Sequence, residues 1–131
     1  MSGPGAGKLI LIVEDNDKNL KLTRDVLRFH GFRTIELTRA EACVSVASEN
    51  LPDLILMDVA LPGLDGVDAT RQLKAERSTK EIPVVALTAS VMRSDRDRFT
   101  EAGFAGVIPK PIDAVKFSNQ VLAYCRSSAA G

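Results

Sequence analysis

The sequence predicts an α/β fold, in which a doubly wound parallel sheet of five strands, in the order 2-1-3-4-5, is covered by five helices. Three observations support this prediction. Short, continuous apolar runs recur along the chain, segments with helical periodicity lie between them, and 131 residues is a usual size for one domain. Strands buried on both faces are apolar throughout, and parallel strands are joined by helical crossovers, so the two patterns belong together.

Five apolar runs are predicted to form the strands. Residues 8–13 (KLILIV), 54–57 (LILM) and 84–87 (VVAL) are continuous and too short for helices. Residues 32–37 and 105–108 are weaker candidates that lie at intermediate positions in the chain. The order 2-1-3-4-5 is a common arrangement for five such strands, and its direction reverses between strands 1 and 3.

The segments between and after these runs are predicted to be helices. Residues 65–75, 90–102 and 113–125 are three of them, and two more lie between strands 1 and 3. Gly31 and Gly103 are predicted to end the first and fourth helices, because glycine readily adopts the left-handed conformation that follows a helix. The positions that share a buried face are Leu20, Thr23 or Arg24 and Leu27 in the first helix, Ala40, Cys43, Val44 and Ala47 in the second, and Ala114, Phe117, Val121, Leu122 and Cys125 in the last.

The composition describes one globular domain with balanced charge. The 17 Lys and Arg residues equal the 17 Asp and Glu residues, which argues against binding of nucleic acid or an anionic membrane mainly by charge. No apolar run is long enough to span a membrane, and the first residues lack the apolar core of a secretion signal. We expect residues 1–7 and 127–131, which are rich in small residues, to be flexible ends of a domain that covers residues 8–126.

The two cysteines, Cys43 and Cys125, lie far apart in the sequence and lack the spacing of a metal site or of a disulfide framework. This usage is typical of a reducing compartment, so we expect a cytoplasmic protein. Structural zinc is excluded for want of ligands.

Polar residues follow the predicted strands at the carboxyl ends, where ligands bind in sheets of this kind. Strand 1 ends in Glu14 and Asp15, strand 3 in Asp58 and strand 4 in Thr88, and strand 5 leads to Lys110. If strands 1 and 3 are neighbours, three carboxylates meet in one crevice and repel each other unless a cation lies between them. Without a nearby histidine or cysteine, such oxygen ligands suit Mg²⁺. An aspartate beside a metal and a lysine is also suited to become an acyl phosphate.

Each of these residues has a simpler explanation when it is taken alone. Asp15 or Asp17 can be the N-cap of a helix, and Asp58 can belong to the turn that follows it. Thr88 is an ordinary strand residue, and Lys110 can be a loop charge between two prolines. Chance does not readily place suitable residues at four separate strand ends, so the combination favours one site.

Four segments resemble the receiver domain of two-component response regulators: LIVEDND (11–17), LILMDVALPGLDG (54–66), ALTAS (86–90) and PKPID (109–113). They occur in the family's order and at family-like separations, and the likeness extends from residue 8 to about residue 124. The resemblance implies a flavodoxin-like fold. It also implies a signalling switch that catalyses only its own phosphorylation and dephosphorylation, rather than an enzyme that turns over an external substrate.

The resemblance assigns roles to the residues at the strand ends. Asp58 is the expected phosphoryl acceptor, Thr88 the phosphate-sensing hydroxyl and Lys110 the phosphate-pairing lysine, followed by a cis bond to Pro111. Mg²⁺ is the expected cofactor. Its expected ligands are Glu14 through a water molecule, Asp15, Asp58 and the backbone carbonyl of Ala60.

The same resemblance implies the partners. A histidine kinase or a histidine phosphotransfer protein donates the phosphoryl group, and a downstream effector protein responds to the face around helix 4, strand 5 and helix 5. Donor docking is expected at Asn19, Leu20 and Thr23 of the first helix and at the loop 111–113. Because no output domain follows in this sequence, we expect a stand-alone, cell-cycle-type regulator or a receiver from a hybrid kinase.

One position departs from the family pattern. Val107, three residues before Lys110, lies where the family often has Tyr or Phe. In the family that aromatic ring swings inward as the hydroxyl residue moves, and an aliphatic side chain cannot make the same rotation. The usual coupling between Thr88 and an aromatic ring is therefore not expected here.

Other functions fit this fold less well. A flavin-binding protein needs a phosphate-cradling loop after strand 1, where residues 14–17 (EDND) would repel phosphate. By family resemblance, phosphatases and mutases with an aspartyl nucleophile have a second acidic residue two positions after that nucleophile. In this sequence Ala60 occupies that position. Dinucleotide binding needs a Gly-rich fingerprint near strand 1, and this sequence has none there. A receiver-fold scaffold that binds partners without phosphorylation stays open as the alternative.

Overall fold

The structure, a computed structural model, describes residues 7–59, 66–89 and 93–125, with the backbone alone for residues 93 and 94. Five strands form one parallel sheet in the order β2-β1-β3-β4-β5, so the predicted fold class and strand order are confirmed. The strands are β1 (Leu9–Val13), β2 (Arg33–Leu37), β3 (Leu54–Asp58), β4 (Val84–Thr88) and β5 (Gly106–Pro109). Each lies within one residue of its predicted bounds.

Within the described residues, one helix follows each strand. The helices are α1 (Asp17–Phe29), α2 (Cys43–Asn50), α3 (Gly66–Ala75), α4 (Arg93–Ala102) and α5 (Phe117–Tyr124). The predicted first residues of α3 and α4, at 65 and 90, lie outside the described ranges. None of the described helices is both long enough and apolar enough to cross a membrane.

The sheet separates two apolar clusters, because neighbouring residues of a strand point to opposite faces. The strands β1, β3 and β4 are buried along their whole length, as central strands should be. One cluster joins alternate strand residues to α2, α3 and α4, and includes Leu11, Met57, Leu73 and Phe99. The other joins the remaining strand residues to α1 and α5, and includes Ile12, Leu56, Leu27 and Phe117.

The start of α1 is fixed by Asn16. Its side chain accepts a hydrogen bond of 3.0 Å from the N–H of Asn19, as an N-cap does. The simpler explanation of Asp15 or Asp17 as the N-cap is therefore wrong, because Asn16 is the residue with extended backbone before the helix. The predicted helix end is confirmed, since Gly31 follows α1 with a φ of 92°.

The last helix is shorter than predicted. Residues 114–116 form a turn, and α5 begins at Phe117 rather than at residue 113. The Asp113 carboxylate accepts a hydrogen bond of 2.9 Å from the N–H of Val115, which stabilises this turn in place of a helix. The prediction that Ala114 lies on the buried face is therefore wrong, because Ala114 is exposed.

Both cysteines are free thiols, and we expect them to react slowly in the folded chain. Burial raises the pKa of Cys43 from 9.0 to about 12 and is the main cause that raises the pKa of Cys125 to about 11. Because the thiolate is the reactive form, its fraction at slightly alkaline pH falls roughly a thousandfold at Cys43 and about a hundredfold at Cys125. Iodoacetamide should therefore label the folded chain far more slowly than the chain in guanidinium, as measured by intact mass. Equal rates would contradict the burial of these thiols.

Candidate functional site

Three carboxylates meet at the carboxyl ends of β1 and β3. One oxygen each from Glu14, Asp15 and Asp58 lies within 4.8 Å of the other two. Glu14 and Asp58 are buried, with 1% and 4% of their surface exposed, whereas Asp15 is exposed. The structure thus brings together the three carboxylates that the predicted strand order makes neighbours.

The register of the sheet explains this meeting. β1 and β3 pair with Val13 opposite Met57, so Glu14 and Asp58, the next residues of the two segments, lie side by side. The N–H of Glu14 donates to the Leu37 carbonyl at 2.9 Å, which continues the ladder towards β2. Buried strands therefore hold both carboxylates in place.

Lys110 brings a positive charge to the cluster. Its Nζ lies 2.9 Å from Glu14 Oε1 and 3.5 Å from Asp58 Oδ1. The N–H of Lys110 donates to the Thr88 carbonyl at 2.8 Å, which attaches the start of this loop to the end of β4. The peptide bond from Lys110 to Pro111 is cis, as the family resemblance implied.

Thr88 lies at the same edge of the sheet. It is the last residue of β4 and is buried. Its register partner is Pro109, while its neighbour Leu87 pairs with Asp58, so Thr88 lies between the strand that ends in Asp58 and the strand that leads to Lys110. The remaining expected metal ligand, the Ala60 carbonyl, lies outside the described residues.

The charges in this cluster are not balanced. Burial and a hydrogen bond with Asp58 raise the pKa of the Glu14 carboxyl to about 7, and the Lys110 ammonium acts in the opposite direction. Among the described residues, nothing donates a hydrogen bond of good geometry to the buried Glu14 Oε1, although Lys110 Nζ is close enough for an ion pair. Three carboxylates and one ammonium leave an excess of negative charge. A hard divalent cation with oxygen ligands would offset it, so the residues present fit such an ion.

Two contributors to the site were missed from the sequence. The N–H of Asn16 donates to Glu14 Oε2 at 3.3 Å, so the residue that caps α1 also orients that carboxylate. Gly66 begins α3 so close to β3 that a Cβ there would lie 2.5 Å from the Asp58 carbonyl oxygen. Asparagine before a helix and glycine at its first residue are the signals that could have found them.

The response regulator receiver domain is the family whose model matches this chain, over residues 10–122. The chain belongs to this family. A relative, the polar-differentiation response regulator DivK of Brucella ovis, is 38% identical over 117 residues, which cover 89% of this chain and 95% of DivK. Family membership implies phosphorylation-based two-component signalling. Receiver domains act as switches rather than as turnover enzymes on external substrates, and they interact with kinases and effectors.

Solved receiver structures are similar to this one. The receiver domain of the sensor histidine kinase PA1611 from Pseudomonas aeruginosa, which has a magnesium ion coordinated in its active-site cleft, is 34% identical with a TM-score of 0.83. The match covers 91% of this chain and 98% of that domain. The chemotaxis protein CheY4 of Vibrio cholerae is 18% identical with a TM-score of 0.85, over 91% and 99% of the two chains, which is a likeness of fold alone.

Proposed function

We propose that this receiver domain accepts a phosphoryl group on Asp58 from a phosphohistidine of a sensor kinase or phosphotransfer protein, and thereby changes its affinity for an effector. The observation that carries the proposal is the position of Asp58. It is a buried carboxylate at the end of a central strand, 3.5 Å from Lys110 Nζ and within 4.8 Å of oxygens of Glu14 and Asp15. A carboxylate placed beside a cation and potential metal ligands is suited to attack phosphorus.

Mg²⁺ is the proposed cofactor. Asp15 and Asp58 would hold it directly and Glu14 through water, together with the Ala60 carbonyl outside the described residues. The bound ion supplies Lewis-acid stabilisation of the charge on phosphoryl oxygens. The excess negative charge of the carboxylates supports a divalent cation, and the magnesium ion in the similar PA1611 receiver supports this choice of metal.

The side chains have separate tasks in the transfer. An Asp58 carboxylate oxygen forms the new P–O bond while the P–N bond of phosphohistidine breaks, and the electron pair of that bond goes to the imidazole nitrogen. Lys110 pairs with one phosphoryl oxygen, and the Thr88 hydroxyl donates to another. Since Lys110 Nζ already lies 3.5 Å from Asp58 Oδ1, a local shift is sufficient for this pairing.

The proposed output is a change at α4, β5 and α5 that starts when Thr88 moves towards the phosphoryl group. Val107 lies opposite Ala86 in the sheet and packs against the apolar cluster that contains Phe99 of α4. The change therefore reaches α4 through packing on an aliphatic residue and without rotation of an aromatic ring in β5. A cytoplasmic location, which suits the free thiols, belongs to the same proposal.

The proposed function is tested by incubation of the chain with a small phosphodonor, such as acetyl phosphate, and Mg²⁺. Intact mass should show one added phosphoryl group. EDTA should prevent the gain because it chelates Mg²⁺ and leaves the metal site empty. No gain in the presence of Mg²⁺ would overturn the proposal and favour a scaffold that binds partners without phosphorylation.

A groove of about 200 Å³ beside Lys110 is the proposed docking place of the phosphodonor protein. It is lined on one side by α1 and on the other by the loop after β5, and the lining includes Asn19, Leu22, Thr23, Pro111 and Ile112. The docking surface that the family resemblance implied includes Asn19 and Thr23, which line this groove, and Leu20, which instead packs against the apolar cluster of α1 and α5.

Leu22→Asp in this groove is expected to slow phosphotransfer from a phosphorylated histidine protein about tenfold or more, because Leu22 is 46% exposed at the groove and its replacement puts a charge in an apolar contact. Phosphorylation by acetyl phosphate should be unchanged. Leu51→Asn, at a similarly exposed leucine outside the groove, is the control and should affect neither reaction. Equal loss with both donors would contradict a docking role.

A further inference from the structure

A second apolar surface lies on α1, outside the groove beside Lys110. Phe29 at the end of α1 is 85% exposed, and Val115 in the turn before α5 is 83% exposed. An open cavity of about 510 Å³ lies at these two residues. We call this surface the Phe29 face; its lining residues are Asp25, Val26, Phe29, His30, Ala114 and Val115. The phosphoryl transfer described above uses none of them.

The helical part of the Phe29 face is a regular stripe. Asp25, Val26 and Phe29 have the spacing i, i+1 and i+4, which places them on one side of α1, and His30, the C-cap residue, follows directly. The rings of Phe29 and His30 meet edge to face, with their centroids 5.2 Å apart. A contiguous apolar surface with a polar rim is typical of a protein contact, whereas single exposed apolar residues are ordinary.

We propose that the Phe29 face binds a second copy of this chain, through an antiparallel contact of the two α1 helices about a two-fold axis. An antiparallel register that sets Val26 of each copy opposite Phe29 of the other also sets each Asp25 opposite His30 of the other. The stripe is therefore complementary to itself. The phenyl ring of each copy enters an apolar cavity, and an imidazole N–H meets a carboxylate.

The charges of the chain are compatible with a second copy as the partner at the Phe29 face. The formal net charge is zero, so two copies are not kept apart by long-range repulsion. Asp25 already contacts Arg24 Nε at 3.0 Å, but that pair is exposed and a carboxylate accepts from more than one donor. The terminal residues outside the described ranges, 1–6 and 126–131, contain Arg126 as their one charged side chain and no acidic side chain or histidine, so neither segment carries both members of the complementary pair.

The contact is small, and the dimer is therefore expected to be weak. The paired part of α1 is roughly one and a half turns long, to which the turn at Val115 adds apolar surface. Contacts of this size lie below those of obligate dimers. Self-association should accordingly depend on concentration between the micromolar and millimolar ranges.

Sedimentation velocity of the full chain over that range tests the proposal. We expect a monomer–dimer equilibrium that Phe29→Ser weakens about tenfold or more, because the exposed ring is the main apolar contact. Leu51→Asn is the matched control: it removes another exposed large apolar side chain, and its left-handed backbone (φ of 48°) suits asparagine. This control should leave the equilibrium unchanged.

Two charge variants test the register itself. His30→Glu sets two acids opposite each other, and Asp25→Lys sets a cation opposite His30, so each variant alone should associate more weakly than the parent. An equimolar mixture restores both complementary pairs and should form a heterodimer at a concentration where each variant alone is monomeric. Failure of the mixture to associate would overturn the proposed register.

A parent chain that stays monomeric at millimolar concentration would overturn the dimer, and so would equal losses from Phe29→Ser and Leu51→Asn. Phosphorylation by acetyl phosphate provides an independent measurement, because Phe29 has no part in the carboxylate cluster. Phe29→Ser should gain its phosphoryl group like the parent. Failure of the dimer and failure of the proposed function are thus distinguished.

Discussion

Asp58→Asn is expected to abolish the gain of a phosphoryl group from acetyl phosphate and from a phosphorylated histidine protein alike. The amide keeps the shape of the side chain, but it is not a carboxylate nucleophile and is a poorer ligand for a hard cation. Intact mass after incubation with donor and Mg²⁺ measures the result: one added group for the parent chain and none for the variant.

The same variant should remain folded, so the loss cannot be attributed to unfolding. Glu14 and Asp58 are both buried, and Asp58 contributes to the raised pKa of Glu14. The neutral asparagine side chain removes the repulsion between the carboxylates of Asp58 and Glu14, while Lys110 keeps its 2.9 Å contact with Glu14. The free energy of unfolding in urea should therefore stay constant or rise by about 1 kcal/mol. An Asp58→Asn chain that still gained a phosphoryl group would place the acceptor at another residue.

Gly66→Ala is expected to destabilise the fold and slow phosphorylation, although alanine is the better helix former. A Cβ at Gly66 would lie 2.5 Å from the Asp58 carbonyl oxygen, 2.8 Å from Val59 Cα and 2.9 Å from Met57 Cγ. Two of these atoms are backbone, so α3 or the end of β3 must shift to admit the methyl group. Overpacking of this kind costs about 1–3 kcal/mol, and the shift also displaces the acceptor.

Urea unfolding and the rate of phosphorylation by acetyl phosphate measure the two effects of Gly66→Ala. Gln72→Ala, at an exposed position of the same helix, is the control; it should change the free energy of unfolding by less than about 0.5 kcal/mol and leave the rate unchanged. A Gly66→Ala chain as stable as the parent would show that α3 does not depend on this close approach.

The strands and their order could be predicted because the central strands are apolar on both faces. The segment that became β3 reads as an uninterrupted apolar run that ends in Asp58, and this pattern fits a strand with helices on both sides. Once the order was known, the meeting of Asp58 with Glu14 and Lys110 followed from topology, since the ends of parallel strands lie at one edge.

The details that sequence reasoning missed depend on contacts between distant segments or on competition between side chains. The periodicity of the last helix did not reveal that Asp113 would hold a turn and delay α5 to Phe117. Two acids next to Asn16 were equally good N-caps by residue type, and the backbone conformation selected the asparagine. The closeness of Gly66 to the end of β3 is a property of packing: a glycine at the start of a helix is a signal of a close approach, but the local pattern does not identify the atoms that it approaches.

The contact between Gly106 and Tyr124 gives this receiver a natural optical probe. The phenol ring of Tyr124, on α5, lies against the backbone of Gly106 in β5, so closely that a Cβ there would overlap its oxygen. Tyr124 also borders the cavity between α4 and β5. The sequence contains one tyrosine and no tryptophan. Ultraviolet emission excited near the tyrosine band therefore originates from a single position, where α5 lies against β5, and the solvent exposure of that edge can be followed without attaching a dye.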